Sequence, residues 1–194
     1  MDRFSRKAIF GVAAVITTAT MLFMTMGTAG ATTAAPTAPA ARSVHAAPAA
    51  HEVSEALVWP LTVQGNTGER VFAIQSLLNQ QIGAGLATDS IFGPLTAAAV
   101  RNFQSRRGLL VDGKVGNQTW PALIIQVQRG STGSAVRAVQ HSLRFSYGFT
   151  TLAVDGIFGP LTQAAVRSFQ ARFKIGVDGI VGPITWNTLV VHEG

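Results

Sequence analysis

The chain has no cysteine. That absence excludes a disulfide framework, a thiol nucleophile and a lipid-modified cysteine anchor. Acidic residues are scarce, nine in 194, and none of Asp89, Asp112, Asp155 or Asp178 has an acidic neighbour in sequence. Paired carboxylates of the kind that cleave glycosidic bonds are therefore not evident, although pairing across the fold stays open. The four histidines, His45, His51, His141 and His192, share no metal-ligand spacing, which argues against a catalytic zinc held by three protein ligands. No serine occupies the G-x-S-x-G setting of a nucleophile elbow. Dense basic runs are also missing, so the scattered arginines read as solvated helix faces rather than a nucleic-acid surface. What remains favours binding without catalysis, cofactor or metal.

What is present is a duplication. Residues 89–123 and 155–189 align at a constant offset of 66, with 22 of 35 positions identical. The first copy reads D-S-I-F-G-P-L-T-A-A-A-V-R-N-F-Q and then V-D-G-K-V-G-N-Q-T-W-P-A-L. The second reads D-G-I-F-G-P-L-T-Q-A-A-V-R-S-F-Q and then V-D-G-I-V-G-P-I-T-W-N-T-L. Upstream the match continues with a shift of one residue, pairing Gly68 with Gly133, Val71 with Val136, Ile74 with Val139, Gln75 with Gln140 and Leu78 with Leu143. The period exceeds that of solenoid repeats, so two tandem small domains are expected, at 57–124 and 125–194.

Residues 1–31 read as an export signal, because Arg3, Arg6 and Lys7 precede an apolar run from Ala8 to Met26 that ends at Ala29, Gly30, Ala31. Cleavage is expected after Ala31. The rival is a retained membrane anchor, against which stand Thr17, Thr18, Thr20, Thr25 and the small-residue triplet. Residues 32–56 begin with a stretch of Ala, Thr and Pro and read as a flexible tether. Removing the first 31 residues leaves 12 basic against 8 acidic side chains, a balance of +4. That charge suits an anionic wall surface outside the cell.

Within the second unit, Val136, Val139 and Leu143 fall on one face of a helix from about Ser134 to Phe145, with Ser131 and Thr132 as candidate caps. Gly159 and Pro160 open a second helix carrying Ala165, Val166 and Phe169. A third, short helix is expected around Thr185–Leu189, and Pro121 is acceptable in its counterpart only within the opening turn. Asp-Gly pairs at 155–156 and 178–179 predict tight turns, whereas Asp89-Ser90 should strain that turn or change its type. The fold class is all-α, two three-helix units that are expected to pack closely or share an edge because no polar linker separates Leu123 from Val127. Leu57–Leu61 reads as an apolar arm against the first unit, with Ile124, Ile125 and Val127 as its equivalent.

The run D-G-I-F-G-P-x-T-x-x-A-V-x-x-F-Q followed by V-D-G-x-V-G-P-x-T-W-x-x-L resembles the three-helix peptidoglycan-binding domain that accompanies many bacterial wall hydrolases. The likeness covers Arg129–Leu189 almost throughout and Gly65–Leu123 with departures at Ser90, Asn117 and Pro121. It implies a domain that holds a partner protein on the cell wall, with a groove contacting glycan or stem peptide and no reaction of its own; together with the export segment, the expectation is a secreted or wall-localised protein. A second reading is a regulatory or targeting module docking on a separate wall hydrolase, which an exposed apolar patch without a polar groove would favour. A third, a small hydrolase with an unrecognised site, would need activity lost with one acidic residue.

Several side chains are candidates for ligand contact. Phe92, Trp120, Phe158 and Trp186 either offer flat faces to sugar rings or form the core. Asp89, Asp112, Asp155 and Asp178 either receive amides of a bound peptide or stabilise turns. Thr96 and Thr162, with Thr119, Thr185, Gln104 and Gln170, either line a groove or cap helices. Arg101 and Arg167 can pair with a stem-peptide carboxylate, or stand exposed.

Overall fold

The fold is given by a computed structural model describing residues 57–192; the expected export segment and the whole expected tether, with His45 and His51, lie outside the described residues. Six helices follow in order: α1 (Glu69–Ile82), α2 (Pro94–Arg106), α3 (Thr119–Leu123), α4 (Ser134–Phe145), α5 (Pro160–Arg172) and α6 (Pro183–Val191). Three of them form each unit, so the all-α, duplicated architecture expected from the repeat is present. Pro94, Pro160 and Pro183 each occupy the first helical position, where a fixed φ helps and a missing N–H costs nothing. Pro121 falls within the opening turn of α3. The last helix is longer than the sequence suggested, because Pro183 starts it two residues before Thr185.

The capping expectation needs correction. Helix α4 begins directly after Gly133, with no side-chain cap. Ser131 Oγ instead accepts from the Gln128 N–H at 3.0 Å. The Ser134 N–H donates to Gln80 Oε1 of α1 at 2.8 Å, so the other unit supplies the acceptor.

Helix α1 is buried on two sides. Val71, Ile74, Gln75 and Leu78 share one face, while Ala73, Ser76 and Leu77 are buried round the cylinder from them. In α4 the matching sets are Val136, Val139, Gln140 and Leu143, and Ala135, Ala138 and Ser142. The first set of each helix serves its own unit. The second sets, mostly small, let α1 and α4 lie together in the most extensive helix pairing of the described residues. The pair is antiparallel: Glu69 at the start of α1 reaches His141 late in α4, and Ser134 at the start of α4 meets Gln80 late in α1. Equivalent helices packed antiparallel relate the two units by an approximate two-fold, the geometry of an isologous dimer within one chain. Phe72 stacks on His141 at 3.7 Å between centroids, and buried side chains of both units form one apolar cluster.

The arm lies where the sequence placed it. Trp59 is buried and stacked on Trp120, with centroids 5.7 Å apart and planes at 19°. The Pro60 carbonyl accepts the Trp120 indole N–H at 2.9 Å; the Ile125 carbonyl does the same for Trp186 at 2.7 Å. Antiparallel single-residue bridges join Thr62 to Val115, Thr67 to Ile91, Val127 to Val181 and Thr132 to Ile157. Among the described residues no helix is long and apolar enough to cross a membrane.

Overpacking the seam should cost more than enlarging an exposed alanine. Ala138→Leu is expected to destabilise the chain by about 1–3 kcal/mol, read from the midpoint of urea unfolding, with Ala164→Leu on the exposed side of α5 as control.

Candidate functional site

One polar arrangement occurs four times. In each, a buried glutamine on a helix donates its amide to an aspartate Oδ1, to the carbonyl two residues beyond that aspartate, and to a buried threonine Oγ1. For Gln75 the partners are Asp89, Ile91 and Thr96, at 2.8, 3.0 and 3.2 Å. For Gln104 they are Asp112, Lys114 and Thr119, at 2.9, 2.8 and 3.1 Å. Gln140 takes Asp155, Ile157 and Thr162 at 2.8, 3.0 and 3.1 Å. Gln170 takes Asp178, Ile180 and Thr185 at 2.8, 3.0 and 3.1 Å. The glutamine Oε1 accepts the backbone N–H of the residue after the aspartate, at Ser90, Gly113, Gly156 and Gly179. The aspartate Oδ1 also accepts the N–H two residues on. These clasps fasten each loop to a helix and fix the opening of the next one.

The residue after the aspartate has positive φ in all four clasps: 75° at Gly113, 78° at Gly156, 75° at Gly179 and 62° at Ser90. Ser90 therefore keeps the turn type and accepts the left-handed strain. A Cβ at Gly156 would stand 2.9 Å from Arg137 Nε; the α1 residue equivalent to Arg137 is Phe72, whose ring stacks on His141 instead. A side chain at position 90 thus escapes the collision that glycine avoids at 156.

Hydrogen bonds hold all four carboxyls below their usual range. The Gln75 amide is the chief cause at Asp89, followed by the Ile91 N–H. The backbone N–H of Lys114, Ile157 and Ile180 is the chief cause at Asp112, Asp155 and Asp178, with the clasp glutamine contributing in each. Arg137 adds charge attraction at Asp155 and Arg167 does so at Asp178.

The candidate residues divide accordingly. Phe92, Trp120, Phe158 and Trp186 are buried and present no face to a sugar; of the two readings open in the sequence, the structure places them in the core. The Trp120 ring stacks on Trp59 of the arm, and the tryptophan N–H groups are used internally. Thr96 and Thr162 are also buried, each inside its clasp. The four aspartates are exposed, yet each spends its Oδ1 on the turn. Arg101 and Arg167 are exposed and lie over the second turn of each unit: a Cβ on Gly113 or Gly179 would meet Arg101 Nη1 at 2.8 Å or Arg167 Nε at 2.9 Å.

A shallow groove stands beside the second clasp of each unit. In the second unit it has a volume of about 250 Å³ and is lined by Gln126, Ile175, Asp178, Ile180, Pro183, Ile184 and Thr185. In the first, equivalent positions Leu61, Asp112, Lys114, Asn117, Gln118 and Thr119 line about 150 Å³. The scaffold is the same and the lining differs: Lys114 and Gln118 stand where Ile180 and Ile184 do. Asp112, Asp178, Thr119 and Thr185 are therefore brought to the grooves, whereas Asp89 and Asp155 belong to the first clasps. Sequence reasoning missed Gln75 and Gln140 as clasp members, although their pairing across the duplication, like that of Gln104 and Gln170, carried the signal. It also missed Lys114, Ile180 and Ile184, which no repeated pattern marks.

Gln140→Met should lower stability by about 1–3 kcal/mol, because the buried Gly156 N–H loses its acceptor and Thr162 Oγ1 loses the amide it accepts from, while exposed Gln126→Met should change it by less than about 0.5 kcal/mol. Denaturant midpoints measure both. The same midpoints should depend on acid. Folded pKa values below the usual 3.8 mean that ionised aspartate favours the fold, so this stability is complete above about pH 4–5 and is lost as pH falls through the folded values. Asp155→Asn should flatten part of that acid dependence.

Residues 67–123 and 132–189 each fit the model of the peptidoglycan binding domain family. The zinc D-Ala-D-Ala carboxypeptidase of Streptomyces albus G is 38% identical over 117 residues, 60% of this chain and 43% of that protein. The N-acetylmuramoyl-L-alanine amidase CwlM of Mycobacterium tuberculosis is 41% identical over 87 residues, 39% of this chain and 21% of that one. The crystal structure of the SleB N-terminal domain shares 40% identity and covers 36% of this chain and 94% of its own, with a TM-score of 0.35. The chain spans less than half the length of either of these two relatives. With more than half of its residues matched by the family model, the chain belongs to the peptidoglycan binding domain family, in two tandem copies.

Proposed function

We propose that this chain is a secreted, non-catalytic protein of the cell wall that holds peptidoglycan through the grooves beside its two second clasps. The observation that carries this reading is that one groove recurs at equivalent positions in both units, on turns whose aspartates are committed to structure. Carboxylates fastened by two or more hydrogen bonds and held ionised are poor general acids, which supports a structural role for these four. Two grooves on one chain raise the effective concentration of the second contact once the first is made, so weak contacts suffice for retention on a polymer. Lys114 gives the first groove a cation that suits a stem-peptide carboxylate, and Ile180 with Ile184 gives the second an apolar lining that suits methyl-bearing groups.

Residues 32–194 are expected to pellet with purified insoluble peptidoglycan, and pelleting should persist in part at raised salt. Ile184→Asp should weaken it at every salt concentration. A folded chain that stays in the supernatant overturns the reading and redirects the search to a wall-hydrolase partner.

A further inference from the structure

The two grooves each share a lining residue with a third depression. Between them runs an apolar cleft of about 490 Å³, lined by Val58, Trp59, Pro121 and Ile124 among others, which shares Asn117 with the first groove and Pro183 with the second. Asn117 and Pro183 are equivalent positions of the two units, so the cleft straddles the junction. Its wall is fastened from both sides. The Trp59 N–H donates to Asn117 Oδ1 at 2.7 Å, and the Val58 carbonyl accepts from Asn187 Nδ2 at 2.9 Å. These two groups belong to one peptide unit, clamped by an asparagine from each domain. Asn117 replaces the proline found at 183, and Pro121 stands where the second unit has Asn187. Both departures from the repeat thus converge on the arm. With its backbone clamped, the Val58 side chain is left 75% exposed.

We propose that the cleft joins both grooves into one continuous track for a single peptidoglycan segment, with Val58 as a contact residue. This deepens the wall-binding reading and rests on it. The occupant follows from continuity with grooves already assigned to that polymer and from chemistry: lactyl, alanyl and acetamido methyl groups suit an apolar lining between two polar-edged grooves. A short fragment fills one groove only, whereas a longer one crosses Val58.

The test compares the full chain with Val58→Asp and with Leu161→Asp, a residue 76% exposed that lines neither groove nor cleft. Both variants add the same charge, and both side chains project from a surface position that leaves the fold intact, which thermal melting verifies. Binding is measured to a monomeric disaccharide-peptide and to soluble glycan-peptide oligomers. Val58→Asp should bind oligomers at least tenfold more weakly and the monomer within twofold of the unsubstituted chain, while Leu161→Asp binds both normally. Equal oligomer binding by Val58→Asp overturns the track and leaves the cleft to another occupant, such as preceding residues of the same chain or a second protein. Equal loss in Leu161→Asp also overturns it, as a charge effect. If the unsubstituted chain binds neither ligand, the wall-binding reading itself falls.

Discussion

A buried glutamine that satisfies a loop is the interaction on which this structure depends. Units of about 60 residues bury only about 60% of the surface that their unfolded chains expose, so packing alone leaves their loops weakly held. Each clasp glutamine replaces the backbone pairing that a sheet would provide: one side-chain amide meets a carboxylate, a carbonyl and a hydroxyl, and accepts a backbone N–H. The backbone groups of the turn are thereby paired inside the protein, and the loop enters the following helix at a set angle. The grooves inherit their shape from this, since Asp112, Asp178, Thr119 and Thr185 line them only because Gln104 and Gln170 hold those residues in place.

The second constraint is the seam. A helix whose own-unit face is apolar and whose opposite side carries Ala73 and Ser76 has somewhere else to pack, and α4 supplies the equivalent surface. The units are therefore fused rather than strung. Their grooves differ in lining while sharing a frame, a division between a repeated scaffold and variable side chains that lets one architecture present a cation in one half and an apolar face in the other.

Much of this was legible in the sequence. The duplication, the helices opened by proline, the Asp-Gly turns and the arm all follow from local rules of backbone geometry and spacing, and the structure holds each of them. The strain expected at Ser90 is present as a positive φ with the turn unchanged. Other features depend on partners distant in the chain. Ser131 and Thr132 looked like caps because capping chemistry is local, yet Ser134 takes its acceptor from Gln80, 54 residues away. Aromatic candidates could not be divided between surface and core because a repeated tryptophan reads the same in either place. Asn117 and Pro121 resembled simple departures from the pattern; only the folded arrangement shows the arm that they face.

The clamp at Val58 joins residues 129 apart, and Arg70 reaches the Val190 carbonyl across 120. Contacts this remote close late, after shorter loops have formed. During synthesis, the first unit is finished as a chain segment while α1 still shows water the face destined for α4, and the arm stays half-anchored until α6 supplies Asn187. The closing of the junction thus waits on α6: without it, Val58 has no Asn187 to hold its carbonyl and Arg70 no Val190 carbonyl to reach.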